Sequence, residues 1–186
     1  MPRITRLLPL LLTALLALPG RPAAQEATVV ILVRHAEKAD TTADPRLSER
    51  GRERAEALAR ALAHTRVGAI VVTQYRRTQL TAQPLAQKLG ITPDTARAGG
   101  NANPRTVADR ILSRHAGKTV LVVGHSNSVP GIIAALGGPR LPQICDSEYA
   151  NLFVLVLRPG KEPSLVHSRY GAADPPDPAC GGPTRQ

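Results

Sequence analysis

Three short aliphatic runs constrain this 186-residue chain most: Thr28–Val33 (TVVILV), Val67–Thr73 (VGAIVVT) and Thr119–Val123 (TVLVV). Each is continuous rather than alternating, as a strand buried on both faces requires. Amphipathic segments separate them. Residues 48–64 place Ala55, Leu58, Ala59 and Leu62 at helical spacing, with Ser48 as N-cap. A second helix spans 76–89, bent or restarted at Pro84 and ended by Gly90. A weak extended stretch covers 91–96. Asn103-Pro104 opens a third helix, with Val107, Ile111 and Leu112 on one face, and a short fourth covers 128–136. Residues 151–157 and 164–168 read as closing strands. This alternation predicts one α/β domain over 28–170: a three-layer α/β/α sandwich on a mostly parallel central sheet.

Hydrophobic residues make up 42% of the chain, enough for a core, and aromatics only 2%, so the core is aliphatic. This excludes disorder over most of the length and a disulfide-dense miniprotein. It also removes the stacking platforms of single-strand binders, so no nucleic-acid partner is expected. The N-terminus sets Arg3 and Arg6 before an apolar run from Leu7 to Leu18, a Pro19-Gly20 break and small residues. That is the layout of a signal peptide over 1–24, cleaved after Ala24. The run falls short of the roughly 20 residues of a membrane span, so no stable anchor is expected after cleavage. The expected location is periplasmic or secreted.

The formal net charge is +10; without 1–24 there remain 21 basic and 14 acidic residues, a balance that steers anionic partners. Cys145 and Cys180 are the only cysteines. In an exported chain they read as a disulfide holding the Pro/Gly-rich tail, 171–186, to the segment around Asp146, with two free thiols as the alternative.

Parallel sheets bind ligands beyond the carboxyl ends of their strands. Arg34-His35-Ala36-Glu37-Lys38 follows the first predicted strand. Gln74-Tyr75-Arg76-Arg77 follows the second, and Gly124-His125-Ser126-Asn127 the third. Two histidines and up to three arginines thus meet at one sheet edge. Guanidinium forks match phosphate oxygens, and an imidazole held by its neighbours can attack phosphorus. The arginines supply the positive charge, so neither metal nor cofactor is required.

VRHAEK, LSERGRERAEALARAL, TQYRRTQLTA and VLVVGHSNSVP together resemble the histidine phosphatase superfamily, whose best-known branch holds the phosphoglycerate mutases. The resemblance runs from Thr28 to about Tyr170 and points to small exported members, some of which act on phosphorylated envelope sugars. It implies His35 as the nucleophile that becomes phosphohistidine. Arg34 and Arg77 are implied as phosphate clamps, Arg77 rather than Arg76 because it stands four residues before Thr81-Ala82. His125 is implied as the second pocket histidine. Glu37, Lys38, Ser126 and Asn127 are expected at the substrate.

The sequence departs from the family at Ala36, for glycine, and at Leu80, for glutamine. The acid-bearing insertion of the mutases is missing: residues 89–103 hold only Asp94. Ser126 stands where the acid-phosphatase branch has Asp. Candidates for the general acid are Glu37, Asp146 and Glu148. His64, His115 and His167 are read as structural. The expected activity is metal-independent phosphomonoester hydrolysis on a small phosphorylated substrate. A phospho-ligand binding protein with little turnover and a phosphohistidine phosphatase are the alternatives; the missing insertion argues against a mutase. The sequence does not indicate an oligomeric state.

Overall fold

The computed structural model describes residues 26–97 and 104–180. The expected signal peptide over 1–24 and the Asn103 cap lie outside them. In chain order the elements are β1 (Thr28–Arg34), α1 (Glu49–Ala61), β2 (Val67–Thr73), α2 (Arg76–Leu89), β3 (Asp94–Ala96), α3 (Pro104–Arg114), β4 (Thr119–Gly124), α4 (Ser128–Ala135), β5 (Asn151–Leu157) and β6 (Ser164–Arg169). One six-stranded sheet has the order β3-β2-β4-β1-β5-β6. β3, β2, β4 and β1 are parallel; β5 and β6 are antiparallel additions.

Both faces of the central strands are covered, which is why their sequences show no polar alternation. On one face Ile31, Val33, Ile70 and Val72 pack with Leu58 and Leu62 after α1's first turns and Leu85 of α2. On the other, Val30, Leu32, Val120 and Val122 pack with Ile111 of α3 and Val129, Ile132 and Ile133 of α4. The chain is therefore an α/β/α sandwich with a mostly parallel sheet, two helices to each face.

Three expected boundaries are corrected. α1 ends at Ala61, and His64 lies in the turn beyond it. α2 is one helix through Pro84, held by burial of Thr81, Ala82, Leu85 and Ala86 along one side, rather than two pieces. The weak stretch shortens to the three residues of β3.

The Leu-Ser-x-x-Gly segment acquires a physical reason. Ser48 caps α1 by accepting from the Gly51 amide at 3.1 Å, and its own amide donates to the Glu37 carbonyl at 2.9 Å. A Cβ on Gly51 would stand 2.3 Å from that same carbonyl oxygen. The start of α1 thus lies directly against the backbone that follows β1. Gly51→Ala must push these two segments apart, and overpacking of this kind costs roughly 1–3 kcal/mol. Urea unfolding should show a midpoint lowered accordingly; an unchanged midpoint contradicts the packing described.

Candidate active site

β1, β4 and β2 are adjacent, so the residues at their carboxyl ends converge. A cavity of about 630 Å³ there is lined by Arg34, His35, Arg77 and His125, with Lys38, Ser126, Asn127 and Asp146 among its other walls. The two imidazoles stand edge to face, their centroids 5.4 Å apart.

His35 is set by the peptide that follows it. Its Nδ1 lies 2.8 Å from the Ala36 carbonyl oxygen. A carbonyl only accepts, so Nδ1 carries the proton and Nε2 keeps its lone pair. The Ala36 amide in turn donates to Thr81 Oγ1 at 2.9 Å, and Thr81 donates to the Arg77 carbonyl at 2.7 Å. The His35 amide donates to the Gly124 carbonyl at 2.9 Å. One buried threonine therefore joins the peptide after His35 to the helix turn that carries Arg77.

Burial lowers the His35 imidazole to about 3, with the charges of Arg34, His125 and Arg77 acting the same way against the Ala36 bond. Burial, then Arg77 and Arg34, lowers His125 to about 4. Both rings are neutral at pH 7. His125 Nε2 is 3.2 Å from Thr73 Oγ1, and its amide donates to Ser128 Oγ at 2.9 Å.

The arginines are held differently. Arg34 is 4% exposed, and its Nη1 donates to the carbonyls of Cys145 (2.7 Å), Asp146 (3.0 Å) and Glu148 (3.1 Å). Its guanidinium carbon lies 4.2 Å from the centroid of Tyr149. Arg77 lies equally close, 4.2 Å, to Tyr75 and donates to the Ala43 carbonyl at 3.3 Å. The Nε of each is buried without a protein partner. Two cations with uncommitted donors, beside two neutral imidazoles, suit a tetrahedral dianion.

Not every candidate residue is in the cavity. Arg76 lines a separate cavity with Arg46. Glu37, expected as a substrate contact or an acid, is not among the cavity's lining residues. Its carboxylate takes Arg54 Nε at 2.9 and 3.0 Å and Arg54 Nη2 at 2.8 Å, and pairs with Arg50 at 3.2 Å. The chain leaves the sheet at Arg34, so Glu37 turns toward α1 rather than back to His35. Glu148 is likewise not among the lining residues: its Oε2 accepts from the Cys145 amide at 3.3 Å and Asn151 at 3.4 Å. Among the described residues Asp146 is the one carboxylate lining the cavity; its side chain is 92% exposed and its Oδ1 lies 3.4 Å from Arg34. Asp94 is paired with Arg110 at 2.6 Å, far along the sheet edge. His167 bonds Asn151 at 2.8 Å and stacks on Phe153.

Sequence reasoning missed the two tyrosines, Thr73, Thr81 and Gln143. Tyr75 had a signal in its place two residues before Arg77; Tyr149 had none. It also missed buried Arg54, which donates to the carbonyls of Tyr170 and Ala172 at 3.1 and 3.0 Å and pairs with Asp174 at 3.5 Å. Asp174 accepts from the amides of Tyr149 (2.9 Å) and Ala150 (3.1 Å). A disulfide joins Cys145 to Cys180, with Cα atoms 5.8 Å apart. These sulfurs and Asp177 form the one metal-ligand-type cluster among the described residues, and the disulfide takes both thiols from it.

A family model described as the histidine phosphatase superfamily (branch 1) matches residues 30–98. Among solved structures, a candidate phosphohistidine phosphatase SixA from Agrobacterium tumefaciens is 25% identical with a TM-score of 0.61, covering 78% of this chain and 98% of its own. The protein histidine phosphatase SixA complexed with tungstate is 16% identical with a TM-score of 0.61, covering 76% and 96%. A mycobacterial glucosyl-3-phosphoglycerate phosphatase with inorganic phosphate is 18% identical with a TM-score of 0.57, covering 78% and 97%. No curated protein matches by sequence. Over residues 30–98 the chain is similar to the histidine phosphatase superfamily, and its fold is that of the phosphatases just described.

Two measurements test this geometry. The unfolded chain protonates His35 and His125 near the ordinary imidazole value of 6.5, whereas the folded protein does so only near 3 and 4. The unfolded state therefore binds more protons between those limits, and stability is lost as pH falls through that window, by up to about 1.4 kcal/mol per pH unit for each ring. Urea titrations at pH 7 and pH 5 should show a smaller acid loss in His35→Asn than in the parent; equal losses refute the burial of a neutral ring. Second, the Cys145–Cys180 bond closes the turn whose carbonyls hold Arg34. The Cys145→Ser/Cys180→Ser double variant should bind inorganic phosphate about three- to tenfold more weakly by calorimetry, with far-UV circular dichroism unchanged, because preorganisation is lost.

Proposed function

We propose that the protein hydrolyses phosphomonoesters through a covalent phosphohistidine on His35. The observation that carries this is the Nδ1 bond to the Ala36 carbonyl, which leaves an unprotonated Nε2 beside two guanidiniums. The Nε2 lone pair forms the N–P bond as the ester P–O bond breaks. Arg34, Arg77 and His125 hold the three equatorial oxygens. Asp146, at the cavity wall, gives its proton to the departing oxygen. A water then attacks phosphorus, the P–N bond breaks, its proton passes to Asp146, and inorganic phosphate leaves. Charge on the transferring group is met by guanidinium donors rather than by a metal ion.

The walls outside the phosphoryl position are polar: Lys38, Thr42, Ser126, Asn127 and Gln143. They suit a hydroxyl-rich leaving group such as a phosphorylated sugar of the envelope. A second reading, removal of phosphate from phosphohistidine, is favoured by the likeness to SixA proteins. Export to the periplasm or medium is supported by the layout of residues 1–24 and by the disulfide. The mature chain should begin at Gln25 by mass spectrometry.

Purified mature protein should release phosphate from p-nitrophenyl phosphate in the presence of chelators. His35→Ala should lose activity by about 10³-fold or more, as removal of a covalent nucleophile does. Asp146→Asn should slow poor leaving groups far more than p-nitrophenol. Parent-level turnover by His35→Ala would falsify the nucleophile. A panel of sugar phosphates against phosphohistidine peptides separates the two substrate classes.

A further inference from the structure

The His35 cavity does not end at its own walls. A groove of about 510 Å³ adjoins it, and the two share Pro104, Asn127 and Gln143 as lining residues. The floor of the groove is the small-residue side of α4: Pro130, Gly131, Ala134 and Ala135. Pro104 sits directly on that floor. A Cβ on Gly131 would meet its ring at 2.6 Å, so the junction between groove and cavity is built on close packing of the Pro104 ring against a residue with no side chain.

Arg105 and Arg140 line the groove, and no carboxylate does. Most other arginines near the site are spoken for: Arg54 and Arg50 by Glu37, Arg110 by Asp94. Arg140 is exposed, and among the described residues no hydrogen bond or ion pair engages it. The same holds for the side-chain amide of Gln143, and Asn127 makes no side-chain cap bond to α4 although it stands at its N-cap. Two unengaged amides therefore mark the path from the phosphoryl position, and an unengaged guanidinium stands further along it.

We infer that the substrate is an extended phosphomonoester whose leaving group passes over Asn127 and Gln143 and ends in a second, non-scissile anionic group received by Arg140. This rests on the reading of the His35 cavity as the phosphoryl site. The amides can both donate to and accept from hydroxyls on the body of the leaving group. The guanidinium fork matches a phosphate or carboxylate at its end. Binding energy gathered there, remote from phosphorus, is available to hold the reacting bond against His35.

The test uses the mature protein and α,ω-alkanediol bisphosphates of increasing length, each compared with the monophosphate of the same diol. At one chain length kcat/KM should favour the bisphosphate by about tenfold, well beyond the twofold advantage of having two scissile groups. Arg140→Ala should erase that preference and leave p-nitrophenyl phosphate turnover unchanged, Arg140→Lys should restore part of it, and Arg158→Ala, outside the groove, should keep it whole. Calorimetry on His35→Ala measures the same preference as binding, without turnover. Loss of hydrolysis with the preference intact in binding removes the catalytic reading alone. Absence of a preference at every length, or its persistence in Arg140→Ala, overturns the subsite.

Discussion

The site depends on how a buried guanidinium is kept in place without being neutralised. Arg34 is almost fully enclosed, yet its short bonds go to three backbone carbonyls, and the nearest carboxylate oxygen is at 3.4 Å on an exposed side chain. Carbonyl dipoles orient the cation and offset part of its desolvation, but they do not cancel its charge as a buried carboxylate would. Arg77 follows the same plan with a carbonyl, a tyrosine face and a distant Asp44 at 3.9 Å. Burial first, and then the positive potential that remains, lowers both imidazoles, and that potential is available to an incoming dianion.

That plan draws in the C-terminal segment. The carbonyls that hold Arg34 belong to the turn between Cys145 and Glu148. Cys145 is tied to Cys180, and Asp174 holds the amides of Tyr149 and Ala150 just beyond the turn. Asp174 also pairs with Arg54, which takes Glu37. Glu37 and Asp174 thus act on Arg54 and the backbone, behind the site, and Asp146 is the one carboxylate among the described residues at the cavity. A tail that composition marks as a loose Pro/Gly-rich appendage is part of the support of a site residue.

The sheet and its helices were legible because each strand is buried on both faces and each helix on one, and both conditions write a period into the sequence. Arg34, His35, Arg77 and His125 were legible because parallel strands deliver their carboxyl ends to one edge; adjacency of β1, β4 and β2 does the rest. The partners of these residues were not legible. Tyr149, Thr81 and the carbonyl acceptors of the 145–148 turn reach the site through contacts more than 40 residues apart in sequence, and a carbonyl has no sequence signature. Glu37 shows the converse error. Two residues from His35 it looks like a neighbour, but β1 ends at Arg34 and strand alternation ends with it. Ser48 and Gly51 then pack on the Glu37 backbone and turn its side chain to α1.

The same geometry shapes the Gly-His-Ser turn after β4. The Ser128 hydroxyl accepts the His125 amide and α4 starts at once, its Val129 amide bonding the His125 carbonyl at 3.0 Å. The Ser126 carbonyl accepts the Ile144 amide at 3.0 Å, which brings the 143–146 segment against this turn. Gln143 and Asp146 therefore join Asn127 in the lining of the cavity. The Asp146 carboxylate delivered by that segment is 92% exposed, whereas His35 is buried. Asp146 thus stands on the same segment whose carbonyls hold Arg34, so whatever moves that turn moves the carboxylate and the guanidinium together.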